Sequence, residues 1–275
     1  MTGRFGGVVG AAMIVLTLAG TGCGDYRSSG TTGPGYEDSA AAYRLAEPAS
    51  SEVIGRSQFR VFTQSGDISA TLAEFRTTLG EPANGGTPGP LLQGRREIKW
   101  DAAPAQMPGD FFNTTVRAGA IFTTDGIGFS NSDNDFSDIN PAYADDFNAF
   151  SLPKTFMPIG SSALTVSFRV AGAETRAATR GFGVVFSDVE RQGAASIKLL
   201  DAAGRSLGQY HAPVRSDAAG FSFVGVVFDS PMVAEVRIAS GQQALGAGVQ
   251  DLSDGGNLDL AVMDDYLYAE PQAIQ

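Results

Sequence analysis

Gly181-Phe-Gly-Val-Val-Phe-Ser-Asp-Val-Glu190 decides the fold. The stretch is apolar on both faces through its middle, carries a β-branched pair, lacks proline, and breaks into charge at Asp188 and Glu190. A strand covered on both sides and ending at the rim of a sheet has this pattern. It reads as a central strand that delivers a carboxylate to a loop.

Further strands lie on either side of it. Gln58–Thr63, Arg95–Trp100, Gly119–Thr123, Gly126–Phe129, Leu164–Val170, Ala195–Leu200, Ser206–Tyr210, Phe221–Phe228, Val233–Ile238 and Leu258–Tyr268 each have strand length and composition. Asp201-Ala-Ala-Gly204 fits a hairpin turn between two of them. Gly225-Val-Val-Phe228 echoes Gly183-Val-Val-Phe186, as two similar buried strands of one sandwich would. One amphipathic helix is predicted over 67–79: Asp67 stands at the N-cap, Ile68, Leu72, Phe75 and Leu79 share a face, and Gly80 ends it. Many short strands, one packing helix and no βα alternation predict an all-β, antiparallel β-sandwich of jelly-roll type, forming a single domain over 57–272.

The N-terminus predicts a compartment. Arg4 is followed by an apolar run, Val8–Leu18, too short to cross a bilayer, and then by Ala19-Gly-Thr-Gly-Cys23. This resembles a bacterial lipoprotein signal peptide over 1–22, which implies that Cys23 carries the lipid and begins the mature chain. The alternative is a secretory signal cleaved ahead of an incidental cysteine. Residues 23–56 are Gly-, Ser-, Ala- and Glu-rich and read as a flexible tether. The expectation is an exported protein, lipid-anchored to the cell envelope at the outer membrane or cell surface, with the membrane as its partner.

Charge and composition narrow the chemistry. The net charge is −11, and −12 once Arg4 leaves with the signal, which disfavours nucleic acid as a partner. Cys23 is the lone cysteine, so no disulfide forms within the chain. His211 is the lone histidine, which weakens the case for a catalytic triad or a zinc site. Two carboxylates suffice for glycoside hydrolysis, but none of Glu97, Glu190 and Glu235 stands out from solvated strand-edge charge. The chain is therefore expected not to be an enzyme.

Calcium fits better, because a hard cation gathers carboxylates and carbonyls from strand ends. The candidates are Asp188, Asp264 and Asp265, with Glu97 and Asp101 added because the first and last strands of a jelly roll commonly pair. Strict alternation along Leu258–Tyr268 would point only one of Asp264 and Asp265 inward. The competing account has such a carboxylate accepting backbone N–H bonds or pairing with Arg95 or Arg96. A second acidic cluster, Ser130–Asp135, lacks the glycine and distal glutamate of a calcium loop. Beyond it, Tyr143 and Phe147 with Asp145 and Asp146 are candidates for stacking and hydrogen bonding a sugar, or else for a private core of their loop.

Gly94–Asp101, Gly181–Asp188, Ser206-Leu-Gly208 and Val262–Tyr268 together resemble a family of secreted, often surface-anchored bacterial proteins with no assigned activity. The last strand is also similar to the closing strand of jelly-roll carbohydrate-binding modules. Taken with the strand-end carboxylates and the lack of a catalytic set, the expectation is a non-catalytic binding module, carbohydrate-directed and calcium-stabilised; the alternatives are a structural envelope protein without a small ligand and a carboxylate-dependent hydrolase.

Overall fold

The computed structural model describes residues 51–54, 57–114, 118–215 and 220–275. The expected signal peptide, Cys23 and the tether up to residue 50 lie outside them. The strands are β1 (Ser51–Ile54), β2 (Ser57–Ser65), β3 (Arg95–Ile98), β4 (Gln106–Pro108), β5 (Ala120–Thr123), β6 (Gly128–Ser132), β7 (Thr155–Ile159), β8 (Ala163–Phe168), β9 (Ala177–Ala178), β10 (Gly181–Ser187), β11 (Ser196–Leu200), β12 (Ser206–His211), β13 (Phe221–Phe228), β14 (Glu235–Ala239), β15 (Val262–Ala269) and β16 (Gln272–Ala273). The helix is α1 (Ser69–Leu79).

Two antiparallel sheets pack face to face, which makes the fold an all-β sandwich with one short helix. Among the described residues the larger sheet has nine strands, ordered β1-β2-β13-β10-β15-β7-β6-β4 with β3 also on β15, and the smaller runs β12-β11-β14-β8-β5. β10 lies between β13 and β15 and is buried along its whole length. Phe182, Val184 and Phe186 enter the core between the sheets, where they share a cluster with Val166, Phe168, Ile197, Leu199 and Val236 of the smaller sheet. Val185, from the opposite face, packs in a second cluster with Leu72, Phe75 and Leu79 of α1. Burial on both faces explains why β10 reads as a continuous apolar run.

The Gly-Val-Val-Phe echo has a steric basis. Gly183 and Gly225 are opposite each other in the β10–β13 register, and the Phe75 ring sits over both. A Cβ at Gly183 would lie 2.7 Å from the ring, and one at Gly225 2.5 Å. The helix thus seats an aromatic ring on a floor of two paired glycines. Burying Leu72, Phe75 and Leu79 contributes about 1.5–3 kcal/mol per side chain.

Four local expectations shift. Ser51–Ile54, assigned to the tether, pair with β2 and cover its otherwise open edge. The helix starts at Ser69, and Asp67 instead accepts the Ser69 N–H at 3.0 Å in a turn ahead of it. The closing strand begins at Val262 rather than Leu258, because the Leu260 N–H turns away to Asp251 Oδ1 at 2.7 Å. β7 escapes sequence reading because it contains Pro158, yet its pairing with β15 is confined to Phe156 opposite Met263, so the missing N–H lies beyond that ladder.

Candidate functional site

At Asp188 the chain leaves β10 with φ 68°, a left-handed turn that carries it off the sheet. β13 and β15 both begin at this end, since Ser187 is opposite Phe221 on one side and Val262 on the other. Connections 133–154, 188–195 and 240–261 therefore meet there, beside the stretch through Arg215 that leads into β13. They are cross-tied. Tyr143 donates its hydroxyl to Val249 O at 2.8 Å, and Asn140 Nδ2 donates to the same carbonyl at 2.9 Å. Asp259 Oδ2 accepts the backbone N–H groups of Glu190, at 2.8 Å, and Arg191.

An acidic cluster is enclosed where these connections meet. Asp188, Glu190 and Asp251 each bring a carboxylate oxygen within 4.8 Å of the others, and Asp146 adjoins them. Asp188 and Asp251 are buried, with exposures of 1% and 0%. Asp251 is held by the N–H of Leu260 and by the N–H and hydroxyl of Ser253, at 2.7 and 2.6 Å. Arg215 faces the cluster, with Nε 2.6 Å from Asp188 Oδ1 and Nη2 2.7 Å from Glu190 Oε1. Asp188 Oδ2, Glu190 Oε2 and Asp146 Oδ2 are buried and accept no hydrogen bond. Ser253 Oγ also donates to Asp146 Oδ1 at 3.3 Å, which leaves Asp146 Oδ2 as the oxygen without a donor.

The protonation of the cluster follows from this enclosure. Burial first, and then the Asp251 charge, push Asp188 up to about 8 despite Arg215. Burial and the adjoining Asp251 carboxyl raise Glu190 to about 7, and burial with Asp254 and Asp251 raises Asp146 to about 6. Four carboxyl groups thus gather beside the Arg215 guanidinium.

The structure divides the predicted metal ligands between two places. From Ser187 opposite Val262, Asp188 is level with Ala261, and Asp265 is about 13 Å further along its strand. Asp264 and Asp265 belong to a separate carboxylate pair. There the β10–β15 register slips between Val184 and Phe186, setting both aspartates against Val185 in a bulge. The bulge breaks the expected alternation, so both carboxylates reach Ser151, whose hydroxyl lies 3.0 Å from Asp264 Oδ1 and 2.5 Å from Asp265 Oδ1. Asp264 Oδ2 also accepts the N–H groups of Phe150 and Ser151 at 2.5 and 3.1 Å, as the backbone-acceptor account anticipated. Burial and the neighbouring Asp265 charge lift Asp264 to about 8.

Glu97 is clamped by two arginines, with Arg76 Nε at 2.9 Å and Arg95 Nε at 3.0 Å. Burial raises its pKa, but these two guanidiniums outweigh burial and leave it lowered. Arg96 pairs with Glu270 rather than with an aspartate of β15. Asp101 sits in the 3₁₀ turn Trp100–Ala102. Tyr143 and Phe147 are both 0% exposed and form their loop's inner packing, with ring centroids 5.7 Å apart, so neither offers a stacking face. Asp145 is exposed on the loop, whereas Asp146 turns inward at 7% exposure. In Ser130–Asp135 the polar groups serve the turn itself: Ser132 Oγ accepts the Phe136 N–H at 2.7 Å, and Asn131 Nδ2 donates to Trp100 O at 2.9 Å.

Sequence reasoning took Glu190 for solvated charge and passed over Asp251. The available signals were the two-residue spacing of Asp188 and Glu190, and Asp251-Leu-Ser-Asp-Gly-Gly256, where an acid precedes Ser by two positions and a Gly pair follows.

No family model and no curated protein matches the chain. Among solved structures it is similar to the enzymatically active domain of tailspike protein 4 of bacteriophage CBA120, at 17% identity and a TM-score of 0.18, over 48% of this chain and 20% of that one.

Proposed function

We propose that this protein is exported, held to the cell envelope by a lipid on Cys23, and acts as a non-catalytic binding module whose loop end takes a polysaccharide. The observation that carries this reading is the gathering of connections 133–154, 188–195 and 240–261 at one end of a rigid sandwich, since loops braced by a scaffold are where binding residues concentrate. Asp145 and Asp254 are exposed on that surface and are suited to accept hydrogen bonds from sugar hydroxyls. With Tyr143 and Phe147 packed inward, recognition rests on polar groups rather than on ring stacking. Binding is favoured over hydrolysis because Asp188, the acid of this cluster with the most strongly raised pKa, is 1% exposed and out of a substrate's reach.

The test is a polysaccharide array probed with the full chain in detergent, alongside a variant carrying Asp145→Asn and Asp254→Asn. Binding that the double variant loses supports the reading. Absence of binding to every polysaccharide would overturn it in favour of a structural envelope protein. The anchor is tested separately: Cys23→Ser should abolish palmitate incorporation and release the protein from the membrane fraction.

A further inference from the structure

We infer that Asp188, Glu190 and Asp251, backed by Asp146, form a binding site for one calcium ion that locks the three connections to the sandwich. Neither the polysaccharide reading nor the anchor is needed for this inference.

Three observations carry it. The first is geometric. Calcium takes oxygen ligands at 2.3–2.6 Å, so two ligands on opposite sides of the ion stand roughly 4.6–5.2 Å apart. The mutual separations within 4.8 Å among Asp188, Glu190 and Asp251 fit around one such ion. The second is the state of the oxygens. Asp188 is 99% buried and Asp146 93%, and Asp188 Oδ2, Asp146 Oδ2 and Glu190 Oε2 accept no hydrogen bond. A buried carboxylate oxygen without a donor is costly unless a cation or a proton meets it.

The third is the place of each residue in the chain. Asp146 comes from the first connection, Asp188 and Glu190 from the second, and Asp251 from the third. Asp251 is already aimed by Ser253 and Leu260, so its orientation precedes the ion. The donor set is all oxygen, which selects a hard cation over zinc or copper. Enclosure by carboxylates with irregular loop geometry suits calcium better than magnesium, which demands a tight octahedron and retains several waters.

Arg215 then acts as the internal counter-cation of the ion-free state. Its guanidinium contacts Asp188 and Glu190, two of the proposed ligands. Calcium and Arg215 draw on the same two carboxylates, so removing the arginine charge favours the ion.

The experiment uses the full chain in detergent, stripped with chelator and titrated with Ca²⁺ or Mg²⁺ by calorimetry, with melting temperature followed in parallel. One equivalent of Ca²⁺ should bind, at least tenfold more tightly than Mg²⁺, and the melting temperature should rise with its concentration by mass action. Glu190→Gln, at a half-buried position, should weaken binding at least tenfold. Arg215→Gln should lower the ion-free melting temperature and enlarge the rise that Ca²⁺ produces. If Arg215→Gln lowers the melting temperature and Ca²⁺ does not restore it, the acids are a structural ion-pair cluster and the inference fails. It fails equally if wild type shows neither heat nor a melting shift at 5 mM Ca²⁺, or if Glu190→Gln binds as well as wild type.

Discussion

Replacing Gly225 with alanine tests how α1 is seated on the larger sheet. The new Cβ would stand 2.5 Å from Phe75 Cε2, 2.8 Å from Phe75 Cζ and 2.9 Å from Phe223 Cζ. Carbon atoms pack at about 3.5–4.0 Å, so the Phe75 ring must retreat by about 1 Å. It cannot do so freely, because it is 0% exposed and in edge contact with Phe62 and Phe223 at centroid distances of 5.2 and 5.0 Å. Overpacking of this kind costs about 1–3 kcal/mol. Gly225 does not have positive φ, so alanine fits the backbone and recovers about 0.4–1 kcal/mol by restricting the unfolded chain. The net loss should be about 1–2 kcal/mol. Gly86→Ala, where a Cβ meets nothing within 4 Å, is the control and should be neutral to stabilising, by up to about 1 kcal/mol. Urea unfolding can be followed by fluorescence of Trp100, the chain's lone tryptophan, which is buried between the sheets. Phe75→Leu removes the obstructing ring edge, so Gly225→Ala should cost little in that background, a coupling of about 1–2 kcal/mol. A Gly225→Ala variant as stable as the control, or one equally damaging with and without Phe75, would refute the steric account.

Two further outcomes follow from buried charge. Arg96 and Glu270 form a two-pronged ion pair at 2.7 and 2.8 Å, with side-chain exposures of 0% and 1%. Glu270→Gln leaves the guanidinium buried without a counter-charge and should cost about 3–5 kcal/mol in urea unfolding, whereas Arg96→Met with Glu270→Leu should cost far less; equal losses would sink this. The Asp264–Asp265 pair makes stability depend on pH. Burial raises both acids; at Asp264 the Asp265 charge adds to it and lifts the group to about 8, whereas at Asp265 hydrogen bonds with Ser151 and Asp264 offset part of the rise, so the folded pair holds a proton that the unfolded chain releases near 4. The folded state binds more protons across this window, so stability is greatest below pH 4 and declines as pH rises toward 8. One such proton gives a slope of at most about 1.4 kcal/mol per pH unit. Asp264→Asn should flatten the decline between pH 5 and 8 by up to that amount. An unchanged slope would count against proton sharing at Ser151.

Local pattern was enough for the elements whose burial is local. The run Gly181–Ser187 announced a strand covered on both faces, and it lies at the centre of the larger sheet under α1. The spacing of Leu72, Phe75 and Leu79 likewise announced the helix, and the repeated Gly-Val-Val-Phe announced two similar buried strands. These are legible in the chain because side-chain direction repeats every two residues in a strand and about every 3.6 in a helix, so burial is written into adjacent letters. Which carboxylates meet was decided only by the tertiary structure. Asp251 joins Asp188 because β15 starts where β10 ends, and Asp264 and Asp265 share Ser151 because one register slip turns both to the same place. Tyr143 and Phe147 face inward because Gly246 and Val249, a hundred residues away, supply the partners for the tyrosine hydroxyl. These are long-range closures set by sheet register and loop path, and no local periodicity records them.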